Sequence, residues 1–164
     1  MVFNTPDLCD RFPERIRVAT PLFRHFGARR KFSGRIETIK CYEDNVLIRE
    51  AVVTLGQGKV LVIDGGGSLR SALVGDGVAE WAREHGWAGM LIYGCVRDIA
   101  ALAKVDIGVL AIGVNPWQPG KRREGTRDIP VTFADVRFIP GEWIYADEDG
   151  VVITSEPLNP SASA

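Results

Sequence analysis

The sequence predicts a single α/β domain with a mixed sheet and a central strand–helix–strand–helix unit. Two apolar segments, KVLVIDGGG (59–67) and AGMLIYG (88–94), have the near-continuous hydrophobicity of buried parallel strands, and each is followed by a helical pattern. A right-handed crossover is the default connection for such a unit. The chain has 164 residues, 46% of them hydrophobic, which suffices for one domain with a sizeable core.

Short apolar patterns predict the elements before this unit. Thr5 and Pro6 suit the cap and first position of a short helix in TPDLCDRF (5–12). KFSGRIETIKCY (31–42) alternates like a strand. NVLIREAVVTLGQG (45–58) has helical spacing of its apolar residues as far as Leu55, and glycines then end it.

The unit itself contains the helices GDGVAEWAREHG (75–86) and DIAALAK (98–104). Strand patterns dominate afterwards, first IGVLAIGV (107–114) and then IPVTFADVRFIPG (129–141), which is a strand or a hairpin. Asp149-Gly150 predicts a hairpin within EWIYADEDGVVIT (142–154). We therefore expect antiparallel structure around the parallel centre.

Two further segments are expected to lie outside the sheet. NPWQPGKRREGTRD (115–128) is rich in proline, glycine and charge, so we expect an exposed loop in which the basic run 121–123 is solvated. Residues from about 155 to 164 are expected to form a flexible tail.

The composition argues against several classes of protein. A net charge of −1 does not favour nucleic-acid binding, and no apolar run approaches the ~20 residues of a membrane span. Acids and prolines in the N-terminal segment do not fit a signal peptide, so a cytoplasmic location is expected. Three separated cysteines and two histidines form no zinc motif, and a bound metal should have oxygen ligands. These residues are Cys9, Cys41, Cys95, His25 and His85.

Polar residues follow the two predicted parallel strands. Gly75-Asp76-Gly77-Val78 opens the first helix of the unit, and Arg97 and Asp98 come directly after the second strand. The carboxyl ends of parallel strands open on one edge of a sheet, and ligands favour that edge. We therefore expect both segments to face one crevice.

Each of these groups has a role to offer in an anion and metal site. The helix N-terminus presents free amides to an anion, and Arg97 can hold a carboxylate through two hydrogen bonds. Asp98 is a hard oxygen ligand suited to Mg2+ or Mn2+, and Asp76 can order a water molecule or relay a proton. The alternative is structural: Arg97 and Asp98 form a solvated loop pair, and Asp76 caps the helix.

Several segments resemble the family named for the regulator of ribonuclease E activity A (RraA), which includes the class II 4-hydroxy-4-methyl-2-oxoglutarate aldolases. The most specific feature is an aspartate, twenty intervening residues and Arg-Asp, met here by Asp76, Arg97 and Asp98. The resembling segments are TPDLCDRFP (5–13), CYEDNVLIRE (41–50), VLVIDGGGSLRSALVGDGVAEWA (60–82), GWAGMLIYGCVRDIAAL (86–102), DIGVLAIGVNP (106–116) and YADEDGVVI (145–153).

This resemblance implies a single RraA-like domain over residues 1–164, with a three-layer β/β/α fold of the swivelling type. It implies that Asp98 binds the divalent metal, that Arg97 holds the pyruvoyl end of a small 2-oxo acid, and that the backbone of Gly75–Val78 contacts the substrate. The implied reactions are cleavage of 4-hydroxy-4-methyl-2-oxoglutarate to pyruvate and decarboxylation of oxaloacetate. The implied assembly is a homotrimer, or a hexamer made of two trimers.

Two other functions are compatible with parts of the sequence. A non-catalytic regulator would bind and inhibit ribonuclease E, as the regulator subgroup of the family does. A methyltransferase is suggested by VLVIDGGGS (60–68), whose glycines resemble the strand end that binds S-adenosylmethionine. That site usually has an acidic residue at the end of the next strand, and LIYG (91–94) has none there.

Overall fold

The computed structural model describes residues 2–159, which contain four helices and twelve strands. The helices are α1 (Thr5–Arg11), α2 (Val46–Val52), α3 (Asp76–Glu84) and α4 (Ile99–Leu102). The strands are β1 (Arg17–Val18), β2 (Arg24–His25), β3 (Phe32–Lys40), β4 (Val60–Asp64), β5 (Ala72–Val74), β6 (Gly89–Val96), β7 (Gly108–Val114), β8 (Thr126–Arg127), β9 (Val131–Phe133), β10 (Val136–Phe138), β11 (Trp143–Ala146) and β12 (Val151–Thr154).

The parallel centre is confirmed. Strands β3, β4, β6 and β7 lie side by side in that order, and all three pairings between them are parallel. Helix α3 connects β4 to β6, and α4 connects β6 to β7, as the predicted unit requires. Both strands of the unit are almost wholly buried, which explains their continuous apolar runs.

Antiparallel strands extend one side of this sheet. Strand β3 pairs with β11 through its first residues, from Phe32 to Arg35, and with β4 through its later ones, from Ile36 to Lys40. Strands β11 and β12 form the predicted Asp149-Gly150 hairpin, and β1 pairs with β12 at the edge. The segment 129–141 is also a hairpin, made of β9 and β10.

The sheet curls over itself, so the domain has the three-layer β/β/α architecture that was predicted. One face of the parallel strands packs on α2, α3 and α4, and the other face packs on the antiparallel strands. Alternate residues of β4 divide between the two cores: Leu61 and Ile63 face the helices, whereas Val60 and Val62 lie between the sheet layers. A third cluster packs α1 against β11 and β12.

One aromatic ring fills the space between the sheet layers where two strands begin. A β carbon added to Gly89 of β6, or to Gly108 of β7, would overlap the ring of Phe32. Phe32 is itself only 4% exposed. The two glycines thus let the first residue of β3 pack directly on the backbone of the parallel sheet.

Three expectations for the ends of elements are wrong. Asn4, not Thr5, is the cap of α1, because the Thr5 hydroxyl donates to Asp147 instead. Helix α2 ends at Val52, and Leu55 is 71% exposed beyond it. The expected tail begins later than residue 155, because Leu158 is 1% exposed and its amide donates to the Tyr145 hydroxyl at 2.7 Å. Residues 160–164 lie outside the described part of the chain.

The sequence did not reveal four short strands. β1, β2 and β8 have two residues each and β5 has three, so none is long enough to display a period of two. Among residues 2–159 the longest helix has nine residues, and no helix there is long and apolar enough to cross a membrane.

The Asp147 carboxylate links the β11–β12 hairpin to α1 and gives a prediction about stability. It accepts hydrogen bonds from the Thr5 amide at 2.6 Å, the Thr5 hydroxyl at 2.7 Å and the Asp149 amide at 3.0 Å. Burial raises the pKa of Asp147, but these bonds outweigh it and leave the pKa below its usual value. We expect Asp147→Ala to lower the free energy of unfolding by about 2–3 kcal/mol at pH 7, measured by denaturant titration.

This loss should shrink in acid. Because the folded state lowers the pKa of Asp147, the stabilisation is complete above the unfolded pKa of about 4 and disappears as the pH falls through the folded value. Glu148→Ala, which changes the next and exposed residue, is the matched control and should cost little. Equal stability of the two variants at pH 7 would contradict the assignment.

Candidate functional site

A cleft of about 200 Å³ opens where β5 and β6 end. This volume is below the roughly 300–1,000 Å³ of pockets for drug-sized ligands, so the cleft suits a molecule of a few heavy atoms. All six residues singled out from the sequence line it, which confirms that the two segments face one crevice. They are Gly75, Asp76, Gly77, Val78, Arg97 and Asp98.

Strand β5 brings the two segments together. It pairs in parallel with the end of β6, with Val74 opposite Val96, so both strands end at the same level. The Arg97 amide then donates to the Val74 carbonyl at 3.0 Å. The glycine-rich turn 65–67 therefore does not lead straight into α3, as the sequence had indicated, because β5 comes between them.

Gly75 and Asp98 are in direct contact across the cleft. A β carbon on Gly75 would lie 2.7 Å from Asp98 Oδ2 and 3.4 Å from Arg97 Cγ. Real β carbons essentially never approach an atom as closely as the first of these distances. Only glycine at position 75 therefore leaves room for the Asp98 carboxylate at this place.

Asp98 has an unusual backbone and a free carboxylate. Its φ of 56° and ψ of 38° are left-handed, a conformation that aspartate tolerates better than most residues. It stands at the N-cap of α4 but makes no capping hydrogen bond through its side chain. Its bond from Arg97 Nε is long, at 3.3 Å, and the side chain is 45% exposed. The carboxylate oxygens are thus available to a ligand.

The start of α3 supplies backbone donors to the cleft. Gly75 is the N-cap and has no side chain to bond the first amides of the helix. The idea that Asp76 is merely the cap is therefore wrong, because Asp76 is the first helical residue. Its carboxylate faces the cleft and has no hydrogen bond or ion pair with any residue in the range 2–159.

Two cations of the cleft were missed by the sequence reasoning. Lys121 was expected to be solvated in a loop, yet it lines the cleft and donates to the Asn45 side chain. Arg49 of α2 also lines the cleft, with its guanidinium 4.9 Å from the centre of the Trp81 ring. The contact of Lys121 with Asn45 spans 76 residues, and no local pattern in the sequence signals it.

The cleft has more positive than negative charge. Arg49, Arg97 and Lys121 face two carboxylates, those of Asp76 and Asp98. Burial lowers the pKa of Lys121, and the charges of Arg49 and Arg97 lower it further, while Asp44 opposes this shift. An anion in the cleft would relieve the repulsion among the three cations.

The donor set fits a weakly held hard cation. The described residues contain no group of three or more His, Cys, Asp or Glu side chains that could enclose a metal ion. Mg2+ commonly binds through one or two carboxylates and keeps several waters, with further oxygens from the substrate. The Asp98 carboxylate, with Asp76 lining the same cleft, meets that requirement.

Comparison with known proteins identifies the family. A family model described as RraA-like, Aldolase/RraA, matches residues 5–153. The chain belongs to the RraA-like family. This match covers both segments of the cleft and all three sheet layers, so the RraA-like fold accounts for the whole described architecture.

Similar curated relatives carry the name "Putative 4-hydroxy-4-methyl-2-oxoglutarate aldolase". One from Azotobacter vinelandii is 51% identical over 158 residues, covering 96% of this RraA-like chain and 98% of its own. One from Xanthomonas campestris pv. campestris is 55% identical over 159 residues, covering 97% and 95%. The chain and these relatives therefore match over nearly their full lengths.

Two solved structures are also close to this RraA-like chain. The RNA-processing inhibitor RraA from Thermus thermophilis has a TM-score of 0.94 and 41% identity, covering 99% of each chain. A protein from Geobacillus kaustophilus described as an S-adenosylmethionine:2-dimethylmenaquinone methyltransferase has a TM-score of 0.94 and 45% identity, covering 98% of this chain and 100% of its own.

The glycine turn 65–67 does not form an open cofactor site in this chain. The space beside Gly65 is filled by Leu73, that beside Gly66 by Tyr42 and that beside Gly67 by the Tyr93 ring. The turn is therefore packed against the chain's own side chains, and the cleft opens beyond β5 instead. This packing does not support a methyltransferase site at the turn.

Proposed function

We propose that this protein is a divalent-metal-dependent carbon–carbon lyase that cleaves 4-hydroxy-4-methyl-2-oxoglutarate into two molecules of pyruvate. We propose that it also decarboxylates oxaloacetate, and that it works as a cytoplasmic homotrimer or a hexamer of two trimers. The observation that carries the proposal is the meeting of Asp76, Arg97 and Asp98 in one small cationic cleft at the start of α3. The names of the full-length relatives support the choice of substrate.

The chain's own residues provide the binding contacts. Arg97 is 37% exposed in its side chain and keeps guanidinium donors free beyond its long bond to Asp98, so it can hold the pyruvoyl end of a 2-oxo acid. The first amides of α3 and the positive end of its dipole face the same space and favour a carboxylate. Asp98 would hold Mg2+ or Mn2+, which supplies Lewis-acid polarisation of the 2-oxo group.

Cleavage breaks the C3–C4 bond of the substrate. The C4 hydroxyl loses its proton and becomes the carbonyl of one pyruvate, and the bonding electrons move towards the 2-oxo oxygen of the other fragment. Arg97 and the α3 amides stabilise the negative charge that develops on this oxygen. A water molecule hydrogen-bonded to Asp76 takes the hydroxyl proton, since neither histidine lines the cleft. Protonation of C3 then completes the second pyruvate.

The role of Asp76 predicts that one variant separates the two reactions. Decarboxylation of oxaloacetate releases CO2 and has no hydroxyl proton to remove. Asp76→Asn should therefore lower kcat for aldol cleavage by about 10²–10⁴-fold and lower decarboxylation far less. Both rates can be followed by coupled detection of pyruvate. Full cleavage activity in this variant, with metal bound, would refute the proton relay.

The contact between Gly75 and Asp98 predicts a second variant effect. In Gly75→Ala the new methyl group must displace the Asp98 carboxylate, because their separation would be 2.7 Å. We expect at least a tenfold loss of kcat/KM with a weaker affinity for the metal. Gly77→Ala is the matched control, because nothing lies within 4 Å of a β carbon there. Similar kinetics for the two variants would show that the contact is unimportant.

The decisive experiment is a pyruvate-release assay with 4-hydroxy-4-methyl-2-oxoglutarate and with oxaloacetate. We expect activity with Mg2+ or Mn2+, none after chelation, and recovery when the metal is restored. Enzyme activity that withstands chelation would contradict the metal requirement. Light scattering of the purified protein tests the trimer or hexamer separately.

The second candidate function is inhibition of ribonuclease E by direct protein contact. It is favoured by the similarity to the Thermus RraA structure, at 41% identity over nearly the whole of both chains. Absence of pyruvate release from both substrates, together with measurable binding to ribonuclease E, would favour the regulator. The two activities are compatible, so both assays should be performed on the same preparation.

A further inference from the structure

A second cationic pole, made of Arg49 and Lys121, lines the cleft together with Arg97. Arg49 comes from α2 and Lys121 from the loop after β7, so neither belongs to the segments that carry Arg97 and Asp98. The aldol reaction described above needs charge stabilisation at the 2-oxo group only. The second pole is therefore unexplained by that chemistry.

Lys121 is held in the cleft by a buried support. It donates to Asn45 Oδ1, and Asn45 is 5% exposed. The Asn45 side chain in turn donates to the Leu73 carbonyl at 3.0 Å, which fixes the direction of its oxygen. The neighbouring Gly120 amide donates to the Glu43 carbonyl at 2.7 Å. The loop therefore presents the Lys121 ammonium at a defined place.

Neither cation of the pole is neutralised within the described residues, 2–159. Arg49 and Lys121 have no carboxylate within 4 Å there, whereas Arg97 has Asp98. Lys121 keeps two of its three donors after bonding Asn45. Arg49 lies against the face of Trp81, which orients the guanidinium without using its donors. The pole thus has several directed donors available to one anion.

We propose that Arg49 and Lys121 bind the carboxylate at the far end of the substrate, so that the cleft selects 2-oxo acids that carry two carboxylates. This inference rests on the proposed function and adds to it the residues that determine specificity. A 2-oxo acid held by Arg97 at its pyruvoyl end is a short molecule, and the cleft of about 200 Å³ keeps its other end near the second pole. Three cations then face two substrate carboxylates.

The test compares two substrates that differ only at this carboxylate. In 4-hydroxy-4-methyl-2-oxopentanoate a methyl group replaces the far carboxylate of 4-hydroxy-4-methyl-2-oxoglutarate, and cleavage gives acetone and pyruvate. Lys121→Met keeps the length of the side chain and removes its charge. We expect it to lower kcat/KM for the dicarboxylate about 10- to 100-fold, chiefly through KM, and to change that for the monocarboxylate less than threefold. Arg49→Met should act in the same direction.

Controls separate specificity from folding. Lys121→Arg should keep most of the preference for the dicarboxylate. Arg122→Met removes a cation from the next position, where the side chain is 80% exposed and outside the cleft, and should change neither substrate. Equal losses on both substrates in Lys121→Met, or no loss on the dicarboxylate, would overturn the proposal.

A binding measurement keeps this inference separate from the proposed reaction. If the wild-type protein cleaves neither substrate, the proposed function fails. Calorimetry with 2-oxoglutarate and 2-oxopentanoate, which differ by the same replacement, then tests the pole directly. Preference for 2-oxoglutarate that is lost in Lys121→Met supports the second pole, and equal affinities in the wild-type protein overturn it.

Discussion

Replacement of Arg97 by methionine is expected to lower kcat for pyruvate release by about 10³-fold or more. The guanidinium is the only group in the cleft that combines proximity to Asp98 with several free donors, among residues 2–159. Removal of one preorganised donor to a developing oxyanion typically costs about 10²–10³-fold in rate. Arg97 is also expected to orient the substrate, which adds to the loss. Steady-state kinetics on both 2-oxo acid substrates would measure it.

Two further variants decide whether the effect belongs to the guanidinium. Arg97→Lys keeps the charge but loses the planar pair of donors, so it should recover only a small part of the activity. Arg83→Met removes an arginine of α3 that pairs with Glu80 outside the cleft, and should retain nearly full activity. Activity of Arg97→Met within tenfold of the wild-type value would exclude the assigned role.

Replacement of Asp98 by asparagine is expected to abolish metal-dependent activity, with a loss of about 10³-fold or more. Asparagine also tolerates the left-handed backbone found here, with φ of 56°, so the fold should be retained. The variant removes the charge of the one carboxylate that contacts both Arg97 and the Gly75 backbone. Affinity for Mn2+, measured by calorimetry, should fall in parallel with the rate.

The control for Asp98 is Asp106→Asn. Asp106 is exposed, pairs with Arg29 at 3.3 Å and lies outside the cleft, so its replacement should leave metal affinity and rate unchanged. If Asp98→Asn retained the wild-type affinity for Mn2+, the metal would have to bind elsewhere. If it lost metal affinity but kept its rate, the metal would be unnecessary for the reaction.

The long apolar runs made the centre of this fold predictable. Strands β4 and β6 are buried on both faces, so their sequences show hydrophobicity without interruption. Their parallel direction fixed the edge at which the following residues must meet, and Asp76, Arg97 and Asp98 do meet there. The β11–β12 hairpin was equally clear because Asp149-Gly150 has a strong local preference for a tight turn.

The rest depended on contacts that leave no local pattern. Strand β5 has three residues and was hidden within the segment between the glycine turn and α3. Lys121 reaches the cleft only because its loop pairs with the segment around Asp44, through a bridge from Asp44 to Gly120. Leu158 is buried because Tyr145 and Val152 provide an apolar surface for it. Such distant packing is set by the folded chain as a whole.

The ring of Phe32 above Gly89 and Gly108 has a consequence for how this chain can vary over time. The three positions share one volume between the sheet layers, although 57 and 76 residues separate the glycines from the ring in sequence. A larger residue at either glycine is tolerated only if the aromatic group becomes smaller. These sites therefore constrain one another as a trio, and substitutions accepted singly elsewhere must arrive here as compensated sets.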